Sequence, residues 1–181
     1  MIQNLNYKEL STPYLDEVMK KINYQDYASV SILIHEEKEI IFIKRSEDLP
    51  THKGHIAFPG GKREAVDKNI VDTALREAGE ELLIDTKSIT PVGLLTSIDT
   101  IEYKFEVFPV VCLIENKPIS FNKSEVQNIY YVSIEELENK KNWNFRGLYE
   151  TDWVFDIDGE ILWGATAKMI RNLLSFPNVD S

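Results

Sequence analysis

The apolar residues near the start of the chain recur at every fourth position. They are Leu10, Tyr14, Val18 and Ile22. This spacing puts them on one face of an α-helix, because a helix completes a turn in about 3.6 residues. Ser11 or Thr12, just ahead of Pro13, is a suitable N-cap. The pattern predicts an amphipathic helix over about residues 8–23.

β-Strands are predicted where β-branched and aromatic residues form short runs between polar residues. These runs lie at residues 28–35, 39–46, 55–58, 91–98, 104–114 and 128–134, and two more lie within residues 153–164. Only Glu36, Glu37 and Lys38 join the first two runs, which predicts a hairpin. A second hairpin is predicted to turn at Asp158 and Gly159, because Asp-Gly suits a two-residue turn.

Three further segments have the pattern of helices. They span residues 69–83, 133–139 and 165–176. The first places Ala74, Ala78 and Leu82 on one face, and the second has Ser133 and Glu136 in the positions of a capping box. Strands mixed with a few helices predict an α/β or α+β sandwich, in which helices cover a mixed sheet. A length of 181 residues without repeats or linkers predicts a single domain.

Charge and composition narrow the classes of function. The chain has 30 acidic against 20 basic residues and a net charge of −10. A nucleic-acid partner is not expected, because phosphate neutralisation needs a basic surface. Without a signal peptide or an apolar run of ~20 residues, we expect a cytoplasmic protein with no membrane partner. The single Cys112 excludes a disulfide framework.

Three glutamates cluster on the second predicted helix. Glu77, Glu80 and Glu81 stand at i, i+3 and i+4, where like charges repel one another. A solvated acidic face is the ordinary interpretation. Alternatively, Glu77 and Glu81 lie one turn apart and can share one cation, and Mg²⁺ or Mn²⁺ prefers oxygen ligands. The preceding Gly60 and Gly61 let backbone amides approach a ligand closely. Residue types and spacing do not decide between the two interpretations.

The stretch from about residue 61 to residue 84 resembles the Nudix box, whose pattern is a glycine, five residues, a glutamate, seven residues, then Arg-Glu-apolar-any-Glu-Glu-any-Gly-apolar. The matching residues are Gly61, Arg76, Glu77, Ala78, Glu80, Glu81 and Ile84. Asp67 stands where the first glutamate belongs, and one extra residue separates it from Arg76. Leu83 replaces the last glycine, which normally supplies a left-handed turn, so we expect a somewhat longer helix.

The residues upstream of the box are similar to one branch of the Nudix family, the coenzyme A pyrophosphatases. The matching residues are Arg45, Ser46, Leu49, His52, Gly54 and Phe58 to Gly61, followed later by Trp163, Gly164, Thr166 and Ala167. The longer box with its aspartate also resembles this branch, as does the apolar-Pro-Val strand at residues 107–111. The resemblance implies a Nudix-like α/β/α sandwich with a mixed β-sheet. It also implies hydrolysis of the pyrophosphate of coenzyme A to 3′,5′-ADP and 4′-phosphopantetheine.

The same resemblance implies roles for individual side chains. Glu77, Glu80 and Glu81 would be ligands of Mg²⁺ or Mn²⁺. Arg76 would orient these glutamates by a salt bridge, the alternative being an exposed helix pair worth a few tenths of a kcal/mol. One carboxylate of the site would act as general base. Glu125, from a later loop, resembles either that base or a further ligand.

Substrate contacts are expected from the loop before the box. The candidates are Arg45, His52, Lys53, Gly60, Gly61 and Lys62. Each cation among them can equally be a solvated surface charge, and His52 can equally hydrogen-bond within its loop. The expected partner is a small nucleotide of the coenzyme A type, and a homodimer is left open. The alternatives are a Nudix hydrolase of ADP-ribose, NADH or a dinucleoside polyphosphate, and a non-catalytic module on the same fold, which would predict loss of the glutamates.

Overall fold

The structure of the protein is a computed structural model that describes residues 4–22, 26–99 and 106–177. Its main element is a mixed β-sheet that has nine strands within these residues. The strands are β1 (Lys8–Glu9), β2 (Ala28–His35), β3 (Glu39–Arg45), β4 (Ile56–Ala57), β5 (Gly60–Lys62), β6 (Ile89–Leu94), β7 (Ile98–Asp99), β8 (Glu106–Ile114) and β9 (Val126–Ser133). A second, three-stranded sheet contains β10 (Trp143–Phe145), β11 (Trp153–Ile157) and β12 (Glu160–Leu162).

Four α-helices accompany the sheets in the described part of the chain. They are α1 (Thr12–Lys21), α2 (Ile70–Leu82), α3 (Ile134–Glu138) and α4 (Gly164–Leu173). The predicted capping box of α3 is confirmed, because Ser133 Oγ accepts a hydrogen bond from Glu136 N at 3.0 Å and the Glu136 carboxylate accepts one from Ser133 N at 3.4 Å. None of the helices in the described residues is long and apolar enough to cross a membrane.

Strand β2 lies at the centre of the large sheet. It pairs antiparallel with β3 and β5, and parallel with β8 from Ala28 to His35. A parallel pair needs a long crossover connection, and here that connection contains α2. The mixture of parallel and antiparallel strands confirms the predicted mixed sheet. The antiparallel pairing of β2 with β3 also confirms the first predicted hairpin.

Helices cover both faces of this sheet. On β2, Leu33 belongs to the core cluster of α1 and α2, whereas Ile32 and Ile34 belong to the cluster of α4. The division follows from strand geometry, because successive side chains of a strand point to opposite faces. The buried face of α2 includes Ile70, Ala74, Ala78 and Leu82. The predicted α/β/α layering is therefore confirmed.

The first helix is shorter than predicted. It begins at Thr12 with Ser11 as its N-cap, and Lys8 instead belongs to β1, where it pairs with Leu94 of β6. The periodic pattern did not reveal this strand, because its partner lies far along the sequence. The predicted end of the helix at residue 23 lies outside the described residues, as do residues 104–105 of the strand predicted at 104–114.

Candidate functional site

The loop before α2 is held against the centre of the sheet by backbone pairing. Gly60 and Gly61 begin β5, and Gly61 pairs with Ser29 of β2. A Cβ atom at Gly61 would lie 2.4 Å from Glu77 Oε1, and one at Gly60 would lie 2.5 Å from the backbone oxygen of Ser29. Gly60 therefore requires glycine, since a side chain would displace the backbone of the central strand, whereas a side chain at Gly61 would displace the carboxylate of Glu77, a candidate ligand.

Local capping sets both ends of α2. Asn69 is the N-cap, and its side-chain oxygen accepts hydrogen bonds from Val71 N at 2.9 Å and Asp72 N at 3.0 Å. The expected longer helix is wrong, because the helix ends at Leu82. Leu83 adopts the left-handed conformation, with φ 52° and ψ 43°, that glycine would supply more readily. The turn into the following segment is thus kept without the glycine.

Glu81 is the most deeply buried of the three glutamates. Its side chain is 1% exposed, and it is one of the buried residues of α2 together with Ala78 and Leu82. Its Oε2 accepts a hydrogen bond from Gly60 N at 3.0 Å, and Arg45 Nη1 lies 3.7 Å from Oε1. Burial raises the pKa of Glu81 from 4.5 to about 8, although Arg45 and the Gly60 amide act in the opposite direction.

Arg76 lies between the other two glutamates. Its Nη1 donates to Glu77 Oε1 at 2.9 Å and to Glu80 Oε2 at 3.1 Å. The side chain of Glu77 is 13% exposed and that of Glu80 is 55% exposed. Burial raises the pKa of Glu77 above its usual value, although Arg76 opposes the shift. One guanidinium therefore restrains two carboxylates of different exposure.

Asp67 anchors Arg76 from the other side. Arg76 Nε donates to Asp67 Oδ1, and Nη2 donates to Asp67 Oδ2, both at 3.0 Å. Burial alone would raise the pKa of Asp67, but Arg76, the Glu64 amide and Thr73 hold it below its usual value. Arg76 is only 15% exposed, so it is not the exposed helix pair of the alternative interpretation. In the sequence, Asp67 is a departure from the Nudix box and part of the resemblance to the coenzyme A branch, but its anchoring of Arg76 was not predicted.

Glu125 comes from the loop before β9 and is tied to the end of α2. Asn122 N donates to the backbone oxygen of Glu81 at 2.8 Å, and Asn122 Nδ2 donates to Glu125 Oε1 at 2.8 Å. Besides burial, the charge of Glu125 helps to raise the pKa of both Glu77 and Glu81. The structure therefore brings this later carboxylate close enough to act on the helix glutamates.

The carboxylates fit a divalent cation by their chemistry. Glu81 is a buried and Glu77 a partly buried oxygen donor, and both have raised pKa values, so an ion that neutralises them would also relieve the cost of burying their charge. As they stand, no three acidic, histidine or cysteine side chains among the described residues are grouped closely enough to hold a metal ion. Arg76 and the Gly60 amide restrain the glutamates instead.

A cavity of about 770 Å³ adjoins this cluster. Of the predicted substrate residues, the cavity is lined by Arg45, His52, Gly60, Gly61 and Lys62. Lys53 is exposed and does not line it. Arg45 and Gly60 connect the cavity to the cluster, because both also contact the carboxylate of Glu81.

Other parts of the cavity wall come from segments that the prediction of substrate residues did not include. They are Tyr149, Thr151, Trp163, Gly164, Thr166 and Lys168. The ring of Trp163 lies 4.9 Å from that of His55, which lies 5.4 Å from that of His52. The matched Trp-Gly-x-Thr-Ala segment was the signal for Trp163, whereas no local pattern indicated Tyr149.

Most of this chain, including the carboxylate cluster, is similar to known proteins. A family model for the NUDIX domain matches residues 26–152. The uncharacterised Nudix hydrolase NudL of Pectobacterium atrosepticum is 30% identical over 169 residues, which cover 86% of this chain and 84% of that protein. NudL of Yersinia enterocolitica is 29% identical over 156 residues, covering 83% and 80%. The crystal structure of DR0079 from Deinococcus radiodurans shares the fold, with a TM-score of 0.56 at 17% identity over 82% of this chain and 83% of that one.

Proposed function

This chain belongs to the Nudix family, and on that premise we propose that it hydrolyses the diphosphate bond of coenzyme A or its derivatives. The products are 3′,5′-ADP and 4′-phosphopantetheine or its acyl form. The proposed cofactor is Mg²⁺ or Mn²⁺, with Glu77, Glu80 and Glu81 as its ligands. The family membership supports the diphosphate chemistry, and the choice of coenzyme A comes from the upstream residues.

One observation carries the choice of substrate. The segments that resemble the coenzyme A branch, around His52 and around Trp163, are far apart in the sequence but line the same cavity. That cavity meets the carboxylate cluster at Arg45 and Gly60. Residues that resemble a substrate signature therefore surround a space next to the residues that resemble the metal site. This arrangement supports a nucleotide bound with its diphosphate near Glu81.

The charge of the cavity also supports an anionic substrate. The described residues that line it include the cations Arg45, Lys62 and Lys168 and the single carboxylate Asp99. The whole chain, in contrast, has a net charge of −10. A local excess of cations in an acidic protein favours an anion at that place. Coenzyme A brings two such groups, a diphosphate and a 3′-phosphate.

The chain's own residues would position the reacting groups. Arg45, next to Glu81, is placed to contact the diphosphate, and the glycine strand allows close approach of the backbone. Arg76, fixed by Asp67, keeps Glu77 and Glu80 in place. Mg²⁺ or Mn²⁺, when bound, supplies neutralisation of the diphosphate oxygens and activation of water. Glu125 is the proposed proton acceptor, or otherwise a further ligand.

The test is hydrolysis by the purified protein in the presence of Mg²⁺ or Mn²⁺. Coenzyme A, acetyl-coenzyme A, ADP-ribose, NADH and diadenosine polyphosphates are offered separately, and chromatography identifies the products. We expect 3′,5′-ADP from coenzyme A and its derivatives at the highest kcat/KM. Cleavage of ADP-ribose without release of 3′,5′-ADP from coenzyme A would contradict the proposed substrate. No hydrolysis of any of them would favour the non-catalytic alternative.

The metal assignment has its own pair of variants. Glu81→Gln should lower kcat by about a hundredfold or more, since it removes a charged ligand at the reacting bond. Glu138→Gln is the matched control, because Glu138 is an exposed glutamate at the end of α3. Full activity of Glu81→Gln would exclude Glu81 as a ligand.

A further inference from the structure

A buried aspartate lies behind one wall of the cavity. The side chain of Asp152 is fully buried, and it accepts hydrogen bonds from Arg146 Nη2 at 2.7 Å and from Leu148 N at 3.1 Å. Burial alone would raise the pKa of Asp152, but these contacts hold it below its usual value. Asp152 is therefore a charged anchor, and the hydrogen bonds of its carboxylate come from the segment just before it.

These contacts close the segment 146–152 into a compact loop between β10 and β11. Arg146 N donates to the backbone oxygen of Asp152 at 3.0 Å, and Asp152 N donates to that of Tyr149 at 3.1 Å. Burial raises the pKa of the Tyr149 hydroxyl, and the neighbouring Asp152 carboxylate raises it further, whereas Arg146 opposes the shift. The loop thus converges on Asp152, because both the backbone oxygen and the carboxylate of this residue accept hydrogen bonds from it.

The loop presents an aromatic ring to the cavity. Tyr149 and Thr151 line the cavity together with Trp163 and His55, while Arg146 lies 5.7 Å from the centre of the Trp163 ring. Tyr149 is 42% exposed, so it is accessible to a ligand in the cavity, while its backbone oxygen is held by Asp152 N. An exposed aromatic ring favours a planar ligand such as a nucleobase. A base of any identity can stack on such a ring, because every base has a π-face.

We propose that Tyr149 binds the nucleobase of the substrate by stacking, and that Asp152 is the positioning residue that holds Tyr149 in place. The part of the inference that concerns coenzyme A rests on the proposed function. The ligand class, a nucleoside diphosphate with its base at Tyr149, follows from the geometry of the cavity. The diphosphate then lies toward Arg45 and the base lies toward the loop 146–152.

Measurements of ligand binding test the inference, and they do not require the protein to hydrolyse a substrate. Isothermal calorimetry with Mg²⁺ measures the Kd of ADP and of inorganic diphosphate, which lacks the base, for wild-type protein, Tyr149→Ala and Tyr149→Phe. Tyr149→Ala should weaken ADP binding about tenfold, the effect of losing one stacked base, and leave diphosphate binding unchanged. Tyr149→Phe keeps the ring and should stay within about threefold of wild type. Equal losses for both ligands, or no loss for ADP, would overturn the proposal, as would no ADP binding by the wild type.

Asp152→Asn tests the positioning role, because asparagine removes the negative charge but has nearly the same side-chain volume. It should weaken ADP binding and raise KM for coenzyme A with kcat unchanged, since the hydrogen bonds of Asp152 go to Arg146 and Leu148 of the loop and not to the candidate metal ligands. Glu150→Gln, an exposed acidic residue of the same loop, should change neither. A fall in kcat with unchanged KM and unchanged ADP binding would contradict the role. If the wild type binds ADP through Tyr149 but leaves coenzyme A intact, the proposed function fails and the base site stands.

Discussion

Replacement of the buried Glu81 by glutamine should make the metal-free protein more stable at alkaline pH, while it removes activity. The folded pKa of Glu81 is raised from 4.5 to about 8, so between these values the folded protein keeps a proton that the unfolded chain releases. The stability from this group is therefore complete below pH 4.5 and is lost as the pH rises to about 8. Each pH unit in that window costs about 1.4 kcal/mol.

The size of this difference in stability follows from the pH range between the unfolded and the folded pKa of Glu81. Between pH 5 and pH 8, ionisation of Glu81 should lower the free energy of unfolding of the wild type by about 4 kcal/mol relative to Glu81→Gln. No discount for solvent screening is needed, because the Glu81 side chain is 1% exposed. Glutamine keeps an oxygen that can accept the hydrogen bond from Gly60 N. The variant should therefore match the wild type near pH 5 and exceed it at pH 8.

Urea unfolding followed by tryptophan fluorescence, with a chelator present, measures this difference at both pH values. Glu80→Gln is the matched control, because Glu80 is 55% exposed on the same helix. The free energy of unfolding of this variant should change with pH as that of the wild type does. Addition of Mg²⁺ should stabilise the wild type more than Glu81→Gln, since a ligand of the folded state shifts unfolding by mass action. If the free energy of unfolding changed with pH by the same amount in the wild type and in Glu81→Gln, the reasoning would be refuted.

Three further changes test other parts of the structure. Arg76→Lys should lower kcat for coenzyme A at least tenfold with little change in secondary structure by circular dichroism, because lysine cannot make the paired bonds to Asp67; unchanged kcat would contradict the orienting role. Leu83→Gly should raise the free energy of unfolding by about 1 kcal/mol in urea titrations, because it relieves a left-handed leucine; Leu83→Ala, which keeps the strain, should not. We expect Lys168, which lines the cavity, to contact the 3′-phosphate, so Lys168→Met should raise KM for coenzyme A about tenfold, the loss of one hydrogen bond to a charged group, and leave KM for dephospho-coenzyme A unchanged; equal effects on both substrates would place Lys168 away from the 3′-phosphate.

Local sequence was sufficient for most of the elements. The helix α2, the capping box at Ser133 and the hairpin turn at Asp158 and Gly159 were all predicted and are all present. Each depends on residues a few positions apart, through helical periodicity, a cap or a two-residue turn. The spacing of Glu77 and Glu81 on one helix belongs to the same class of information, because it follows from the turn of the helix alone.

The spacing of residues along the sequence could not predict what surrounds Glu81 and Arg76 in the folded protein. Glu81 became buried because β5 lies against α2 and Arg45 of β3 reaches its carboxylate. The anchoring of Arg76 by Asp67 likewise depends on how the loop before α2 folds back on the helix. Nothing in a helical pattern specifies such contacts, since they join segments whose meeting is decided by the sheet.

The sequence by itself therefore determined most of the elements, the family pattern and the type of chemistry, because these depend on residue identity and short spacing. Only the tertiary structure decided that α1 starts after a strand, that the helix ends at a left-handed Leu83, and which glutamate loses contact with water. It also decided that Tyr149, absent from every motif, faces the cavity. The physical reason is that burial, pKa and cavity shape depend on pairs of residues brought together by strand pairing and packing across the sheet.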